Sequence, residues 1–161
     1  FKVTGGNRLK GDLQPQGAKN EALQILCAVV LTAEPVTIHN IPDIRDVNQL
    51  IALLADMGVK QQRLGPGSIR FQADDVNLDY LESDTYKQKA AALRGSTMLM
   101  GPTLARFKKG RLPRPGGDKI GRRRLDTHFL GFEKLGAKFE YDAEDGGFYQ
   151  VDASNLRGAY M

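Results

Sequence analysis

The residues best suited to chemistry lie in one short stretch, residues 115–128, which reads PGGDKIGRRRLDTH. Its glycines allow backbone N–H groups to turn toward a ligand, and its consecutive arginines can hold phosphate or carboxylate oxygens through paired hydrogen bonds. Asp118 lies among these cations, and a carboxyl group can transfer a proton. The stretch predicts a loop that holds an anionic substrate, although Gly-Gly-Asp also occurs as a solvated turn.

Two further positions carry charge where an anion would be favoured. Lys19 and Asn20 open a predicted helix, whose start offers free N–H groups and the positive end of the helix dipole. Arg94 lies in a largely apolar segment, residues 90–96, where a guanidinium needs a partner or a ligand. A solvated lysine followed by a capping asparagine, and a structural ion pair at Arg94, are the alternatives that the residues alone leave open.

Composition and charge narrow the classes of function. The chain has 161 residues, of which 41% are apolar and 26% charged, and its net charge is +4. This is typical of a folded globular protein, and the mild positive charge suits an anionic small molecule. No duplex-binding motif, no metal-ligand cluster and no apolar run long enough to cross a bilayer is found. With Cys27 as the single cysteine no internal disulfide can form. We therefore expect a cytoplasmic protein without a nucleic-acid or membrane partner.

The elements that position these residues occur as an internal repeat. Residues 46–60 are similar to residues 124–138, at an offset of 78 residues that grows to 80 further along the chain. Apolar residues at helical spacing followed by Gly58 predict a helix that ends at that glycine. Each copy is predicted to be helix, strand, helix, strand, strand. The predicted elements are 18–31, 35–39, 47–57, 59–64 and 68–72 in the first copy, and 86–107 (kinked at Gly101-Pro102), 110–112, 125–135, 137–142 and 148–152 in the second.

The repeat divides the chain into three parts. Residues 1–16 carry two short strand patterns and are assigned to a different domain. Residues 17–75 are the first repeat unit, and residues 76–161 are the second unit, which carries the loop 113–124 and ends with the start of a third unit. Both leading helices are apolar almost all the way round, which predicts that they are buried. Since the chain lacks an initiator methionine and ends as a new strand begins, we expect it to be part of a longer protein.

Four motifs together resemble the enolpyruvyl transferases. They are Gly17-Ala18-Lys19-Asn20 at a helix start, the Arg94 helix ending in Met100-Gly101-Pro102, the loop Pro115-Gly116-Gly117-x-x-Ile120-Gly121-x-Arg123, and Asp126-x-His128. The similarity is to the branch that acts on a UDP-sugar rather than to the shikimate-pathway branch, and it covers essentially the whole chain. It implies an α/β fold, an inside-out α/β barrel whose domains each contain three such units with the helices inside. Two of those units are present here.

The resemblance also implies a reaction and its partners. This branch transfers the enolpyruvyl group of phosphoenolpyruvate to the 3-hydroxyl of UDP-N-acetylglucosamine and releases phosphate, the first committed step of peptidoglycan synthesis. No metal and no organic cofactor is implied. The expected partners are these two small molecules and the remaining part of the full-length enzyme, which carries a further catalytic carboxylate and further arginines. The 161-residue segment alone is therefore expected to be inactive.

Roles follow from the resemblance residue by residue. The residues implied in binding phosphoenolpyruvate are Lys19, Asn20, Arg94 and Arg123. Those implied in binding UDP-N-acetylglucosamine are Arg94, Arg123, Arg124, Leu125 and Asp126. Arg124 stands where the family often has a proline, and solvation explains it better than a contact with the diphosphate does. Cys27 is interpreted as a small core residue and His128 as a structural one.

Asp118 is the main departure from the family pattern. Most members carry a cysteine there, which donates a proton to the substrate methylene and reacts with the antibiotic fosfomycin. A carboxylic acid can also transfer a proton but offers no sulfur to alkylate. We therefore expect Asp118 to act as the general acid and the protein to resist fosfomycin. The competing functions are a nucleotide- or anion-binding module without chemistry and a shikimate-branch enolpyruvyl transferase.

Overall fold

Two similar units follow one another, each combining helices with a three-stranded sheet. The computed structural model describes residues 1–113, 124–142 and 147–160. The first unit contains α1 (Lys19–Ala28), β1 (Val36–Ile38), α2 (Arg45–Asp56), β2 (Lys60–Gly65) and β3 (Ser68–Gln72). The second contains α3 (Asp84–Ala92), α4 (Met100–Phe107), β4 (Lys109–Pro113), α5 (Asp126–Lys134), β5 (Lys138–Asp142) and β6 (Phe148–Asp152). The described 3₁₀ helices are Val29–Leu31, Asp79–Glu82 and Arg94–Leu99.

The two sheets have the same topology. In each, the last strand lies between the other two and pairs antiparallel with both, giving the orders β1-β3-β2 and β4-β6-β5. Phe71 occupies the centre of the first sheet and Val151 that of the second, and both side chains are buried. These two positions are 80 residues apart, as the sequence repeat requires. The predicted order of helix, strand, helix, strand, strand is thus observed twice.

The repeat extends to the backbone at the ends of α2 and α5. Gly58 and Gly136 have φ angles of 93° and 99°, in the left-handed region that favours glycine. Each donates its N–H to the carbonyl oxygen three residues earlier, at 2.9 Å in both cases. A Cβ at either position would lie 2.5 Å from a carbonyl oxygen, that of Asp75 or that of Asn155. The predicted helix end at Gly58 is therefore confirmed, and both glycines allow the next loop to pack closely.

Helix α2 has the one-sided burial that the spacing of its apolar residues predicts. Its buried side chains recur at helical spacing and form one face against the core, while Arg45 and Asp46 at its start are on or near the surface. Burying each large apolar side chain of this kind stabilises a fold by about 1.5–3 kcal/mol. The buried residues of the helix are Val47, Leu50, Ile51, Leu53 and Leu54.

The helix predicted for residues 86–107 is in fact interrupted. Leu93, between α3 and the 94–99 3₁₀ helix, has extended backbone angles of −121° and 109°. The kink predicted at Gly101-Pro102 is wrong, because Pro102 lies in the first turn of α4, where a helix does not need its N–H. At the observed break, the Ser96 hydroxyl lies 2.7 Å from the carbonyl oxygens of Ala90 and Leu93. In a continuous α-helix these oxygens would accept backbone N–H groups.

Two segments are less covered than predicted. Helix α1 is buried on one face only, and Ile25 on the other face is 42% exposed. Burial all round is wrong for the described residues, because α2 and the 94–99 3₁₀ helix cover just one side of α1. The strand pair predicted at residues 2–4 and 8–13 is wrong for the described residues: residues 1–18 form no helix or strand and are largely exposed, because no described strand pairs with them. Their assignment to a different domain stays a prediction.

Arg106 of α4 joins the two units. Its Nη1 atom lies 3.0 Å from the carbonyl oxygens of Val30 and Thr32 and 2.8 Å from that of Ala73. All three carbonyls belong to the first unit. Hydrogen bonds from a charged donor are stronger than neutral ones. Arg106 therefore fixes α4, and with it the segment that leads the second unit, to the first unit.

Replacing Gly58 by alanine should destabilise the protein. The new Cβ would lie 2.5 Å from the Asp75 carbonyl oxygen in a left-handed conformation. We expect the free energy of unfolding to fall by about 2 kcal/mol. Gly131→Ala in α5 is the matched control, since its Cβ would meet nothing within 4 Å and alanine favours a helix by about 1 kcal/mol. Denaturant titration measures both, and an undiminished stability of Gly58→Ala would contradict this close packing.

Candidate anion-binding cleft

Three helical segments begin at one cleft of about 580 Å³. Helix α1 begins at Lys19, α2 at Arg45 and the 94–99 3₁₀ helix at Arg94. Each start brings a cation to the cleft, and the first turns of α1 and α2 add N–H groups that lack partners within their helix. The polar lining consists of Lys19, Asn20, Gln24, Arg45, Asp46, Gln49, Arg94 and Thr97. With three cations against one acid, the cleft favours an anion.

Lys19 is held by an ion pair. Its Nζ atom donates to Oδ2 of Asp46 at 3.0 Å, and the two side chains are 41% and 40% exposed. Ala18 occupies the position that precedes α1, and no side chain caps the helix there. The alternative in which Asn20 caps the helix is therefore wrong. Asn20 instead lines the cleft beside Lys19.

The position of Arg94 is set by the packing of its 3₁₀ helix on α1. A Cβ at Gly95 would lie 3.1 Å from Cδ1 of Leu23, so the glycine lets the two segments approach closely. The Cys27 thiol donates to the Gly95 carbonyl oxygen at 3.9 Å, and the Thr97 hydroxyl donates to that of Arg94 at 2.9 Å. Arg94 is half-buried at the start of a 3₁₀ helix rather than inside an α-helix as predicted. Helix α1 thus carries Lys19 and also fixes the segment of Arg94.

Helix α2 also contributes to the cleft, which the sequence motifs did not predict. Arg45, Asp46 and Gln49 line the cleft from the first turns of that helix. The available signal was a pair of opposite charges, Arg45-Asp46, at the start of a strongly amphipathic segment. Because charges at helix starts are common on solvated surfaces, that signal does not identify a site without the neighbouring helices.

The residues at the start of α5 lie beside a second, smaller cavity of about 90 Å³. Leu125 and His128 line it, and Thr97 and Met98 line both this cavity and the larger cleft. Arg124 and Asp126 form an ion pair with exposed side chains and line neither cavity. The structure therefore brings Leu125 next to the cleft and leaves Arg124 and Asp126 on the surface. Asp118 and Arg123 lie outside the described residues.

Cys27 lies in the core, as predicted. It is 1% exposed, and burial raises the pKa of its thiol to about 12. Throughout the described ranges, no group of three or more His, Cys, Asp or Glu residues is arranged to bind a metal ion. Across the same ranges, none of the helices combines the length and the hydropathy needed to cross a bilayer.

Sequence comparisons place the chain among the enolpyruvyl transferases. A family model described as EPSP synthase (3-phosphoshikimate 1-carboxyvinyltransferase) matches residues 3–160. The UDP-N-acetylglucosamine 1-carboxyvinyltransferase of Bacteroides thetaiotaomicron is 56% identical over 161 residues, which are 100% of this chain and 37% of that protein. The enzyme of the same name from Porphyromonas gingivalis is 53% identical, again over 100% of this chain and 37% of that protein. These matches confirm the resemblance to the UDP-sugar branch, and the chain spans about 37% of the length of these relatives.

Solved structures agree on the fold. The enolpyruvyl transferase NikO from Streptomyces tendae matches with a TM-score of 0.64 and 23% identity, over 94% of this chain and 32% of that one. EPSP synthase from Acinetobacter baumannii matches with a TM-score of 0.52 and 12% identity, over 92% and 33%. At these identities the likeness shows the fold alone. It confirms the predicted α/β fold class, of which the described residues form two repeat units.

The Cys27 thiol should be inert in the folded protein. Its raised pKa keeps it protonated at neutral and mildly alkaline pH, and burial denies a reagent access. We expect native protein to label at this residue at least about 100-fold more slowly than denatured protein, measured by mass spectrometry of the Cys27 peptide. Ala28→Cys, on the exposed side of α1, is the control and should label quickly. Fast native labelling of Cys27 would contradict its burial.

Proposed function

The chain belongs to the EPSP synthase family, and on that premise we propose that the protein carrying it transfers the enolpyruvyl group of phosphoenolpyruvate to the 3-hydroxyl of UDP-N-acetylglucosamine, with release of phosphate. Because the chain spans about 37% of its curated relatives, the proposal concerns the full-length protein. The observation that carries it is the cleft in which Lys19, Asn20 and Arg94 lie together.

The cleft suits the phosphate of phosphoenolpyruvate. Lys19 supplies an ammonium, Arg94 a planar guanidinium that can hold two phosphate oxygens, and Asn20 an amide donor. A hydrogen bond from a charged group contributes about 1.5–3 kcal/mol where water is largely excluded. Unpartnered N–H groups at the helix starts add to the positive potential. In this proposal the cations also stabilise the negative charge on the phosphate as it leaves.

We assign the proton transfer to Asp118. Its carboxyl proton moves to the methylene carbon of phosphoenolpyruvate as the sugar 3-oxygen bonds to the adjacent carbon, which gives a tetrahedral intermediate. The C–O bond to phosphate then breaks, and a proton leaves the new methyl group for the Asp118 carboxylate, so that the enol ether and the acid are both restored. The hydroxyl proton of the sugar passes to a carboxylate that, by family resemblance, lies in the remaining part of the protein, and finally to the departing phosphate, which restores that carboxylate. Arg123 in the same loop would help hold the two substrates.

The choice of acceptor rests on the relatives. Those that are 53–56% identical over the whole chain are named for UDP-N-acetylglucosamine, whereas the solved EPSP synthase is 12% identical. The cavity lined by Leu125, which adjoins the cleft through Thr97 and Met98, offers an apolar surface beside the phosphate site. This arrangement favours a substrate that has an anionic part and a flat ring whose face can pack on an apolar surface. A uracil nucleotide has such a ring, whereas the ring of shikimate 3-phosphate is puckered and carries hydroxyl groups.

Phosphate release tests the proposal directly. We expect the full-length protein to release phosphate from phosphoenolpyruvate when UDP-N-acetylglucosamine is present. It should release none when no acceptor is present or when shikimate 3-phosphate is the acceptor offered. Release with shikimate 3-phosphate would move the protein to the other branch of the family. Binding of both ligands without release would make it a binding module. The 161-residue segment alone should show negligible turnover, because it lacks the second carboxylate that the family implies.

Asp118→Cys should make the full-length protein sensitive to fosfomycin. The wild-type protein should keep its activity in the antibiotic, since a carboxylate offers no sulfur to alkylate. The variant supplies a thiol at the position where the family carries one. Time-dependent loss of phosphate release measures the effect, and Cys27→Ala combined with Asp118→Cys is the matched control. A variant that stays active but resists fosfomycin would contradict the assignment of Asp118.

A further inference from the structure

Asp46 is the one acid among the described residues that line the cleft. It lies in the first turn of α2, and its Oδ2 atom accepts from Nζ of Lys19, at the first position of α1, over 3.0 Å. An acid in a cleft that favours anions calls for an explanation, because it repels the ligand that the cations attract.

Stability alone is a weak explanation for this pair. Both side chains are about two-fifths exposed, and ion pairs at that exposure contribute little to folding. The pair does, however, fix the position of a group that would otherwise be free. A lysine side chain has four rotatable bonds, and ordering it at the moment of binding weakens the binding. Lys19 pairs with Asp46 before any ligand arrives, so much of that ordering is already done.

The opposing effect is electrostatic repulsion. An anion bound to Lys19 would lie within several ångströms of the Asp46 carboxylate. At a half-exposed site, solvent screening limits that repulsion to about a threefold loss of affinity. If the Lys19 side chain were free to turn into solvent, the affinity for the anion would fall by more than this. In most molecules the ligand would then find no charged donor in place.

We propose that Asp46 is a positioning residue, which holds the Lys19 ammonium in the cleft so that the phosphate of phosphoenolpyruvate meets a donor already in place. The inference rests on the proposed function and adds to it a residue that does not touch the substrate. It acts through Lys19, and its favourable contribution vanishes when Lys19 is absent, which leaves the repulsion alone.

A double-mutant cycle on the full-length protein tests this. Asp46→Ala should raise KM for phosphoenolpyruvate about five- to tenfold while kcat changes less than about twofold, because binding rather than chemistry is affected. Asp46→Asn should stay within about threefold of wild type, since its amide oxygen can still accept from Lys19. In a Lys19→Met background only the repulsion remains, so Asp46→Ala should not lower kcat/KM and should raise it by at most about threefold.

Asp43→Ala is the matched control. It removes an acid three residues earlier, whose carboxylate accepts from Asn48 and does not line the cleft, so KM should stay within about twofold. Thermal unfolding of each variant checks that it is folded. Should Asp46→Ala unfold, Asp46→Ser replaces it, because serine suits the start of a helix but is too short to reach Lys19.

The outcomes separate the two proposals. If wild type releases no phosphate in the presence of UDP-N-acetylglucosamine, the proposed function fails first. If wild type is active and Asp46→Ala lowers kcat/KM by the same factor with and without Lys19, Asp46 has a structural role and the inference is overturned. A lower KM in Asp46→Ala would overturn it as well, because the carboxylate would then compete with the substrate.

Discussion

The cleft depends on the extended backbone at Leu93. At that residue the leading segment of the second unit leaves α3 and starts again as a 3₁₀ helix, so that Arg94 occupies a helix start instead of a helix interior. The restart is held by the Ser96 hydroxyl and by the contact of Gly95 with Leu23 of α1. Because α1 carries Lys19 at its own start, one helix sets the place of both cations.

Packing between the units gives this arrangement its rigidity. Arg106 bonds to three carbonyl oxygens of the first unit, and the Cys27 thiol bonds to the carbonyl oxygen of Gly95. The site residues themselves are half-buried or exposed, which leaves their charges available to a ligand. A charged side chain buried without a partner would destabilise the fold, so the charges that await a ligand stay near the surface. The thiol of Cys27 and the guanidinium of Arg106 can lie deeper, because both bond to carbonyl oxygens. The repeat therefore supplies a scaffold, and the seam between its two copies supplies the cleft.

Much of this fold could be predicted from the residues. The period of α2, its end at Gly58 and the bounds of β3 and β6 follow from local patterns that tertiary contacts reinforce. The break at Leu93 was not predicted, because residues 87–93 up to the break are good helix formers and the interruption comes from packing on α1. The Lys19–Asp46 pair was likewise hidden, since it joins residues 27 positions apart at the starts of two helices. Lys19 and Asn20 were singled out at a predicted helix start and Arg94 as a cation in a largely apolar segment. Their roles toward the substrates were implied by the family resemblance and stay predictions.

The most direct test of this account is the position of the ligand. We would determine the crystal structure of the full-length protein with phosphoenolpyruvate and UDP-N-acetylglucosamine bound. The account predicts the phosphate of phosphoenolpyruvate within hydrogen-bond distance of Lys19 Nζ and the Arg94 guanidinium, with Asp46 still paired to Lys19. Phosphate bound away from both cations, with Lys19 turned out of the cleft, would contradict it.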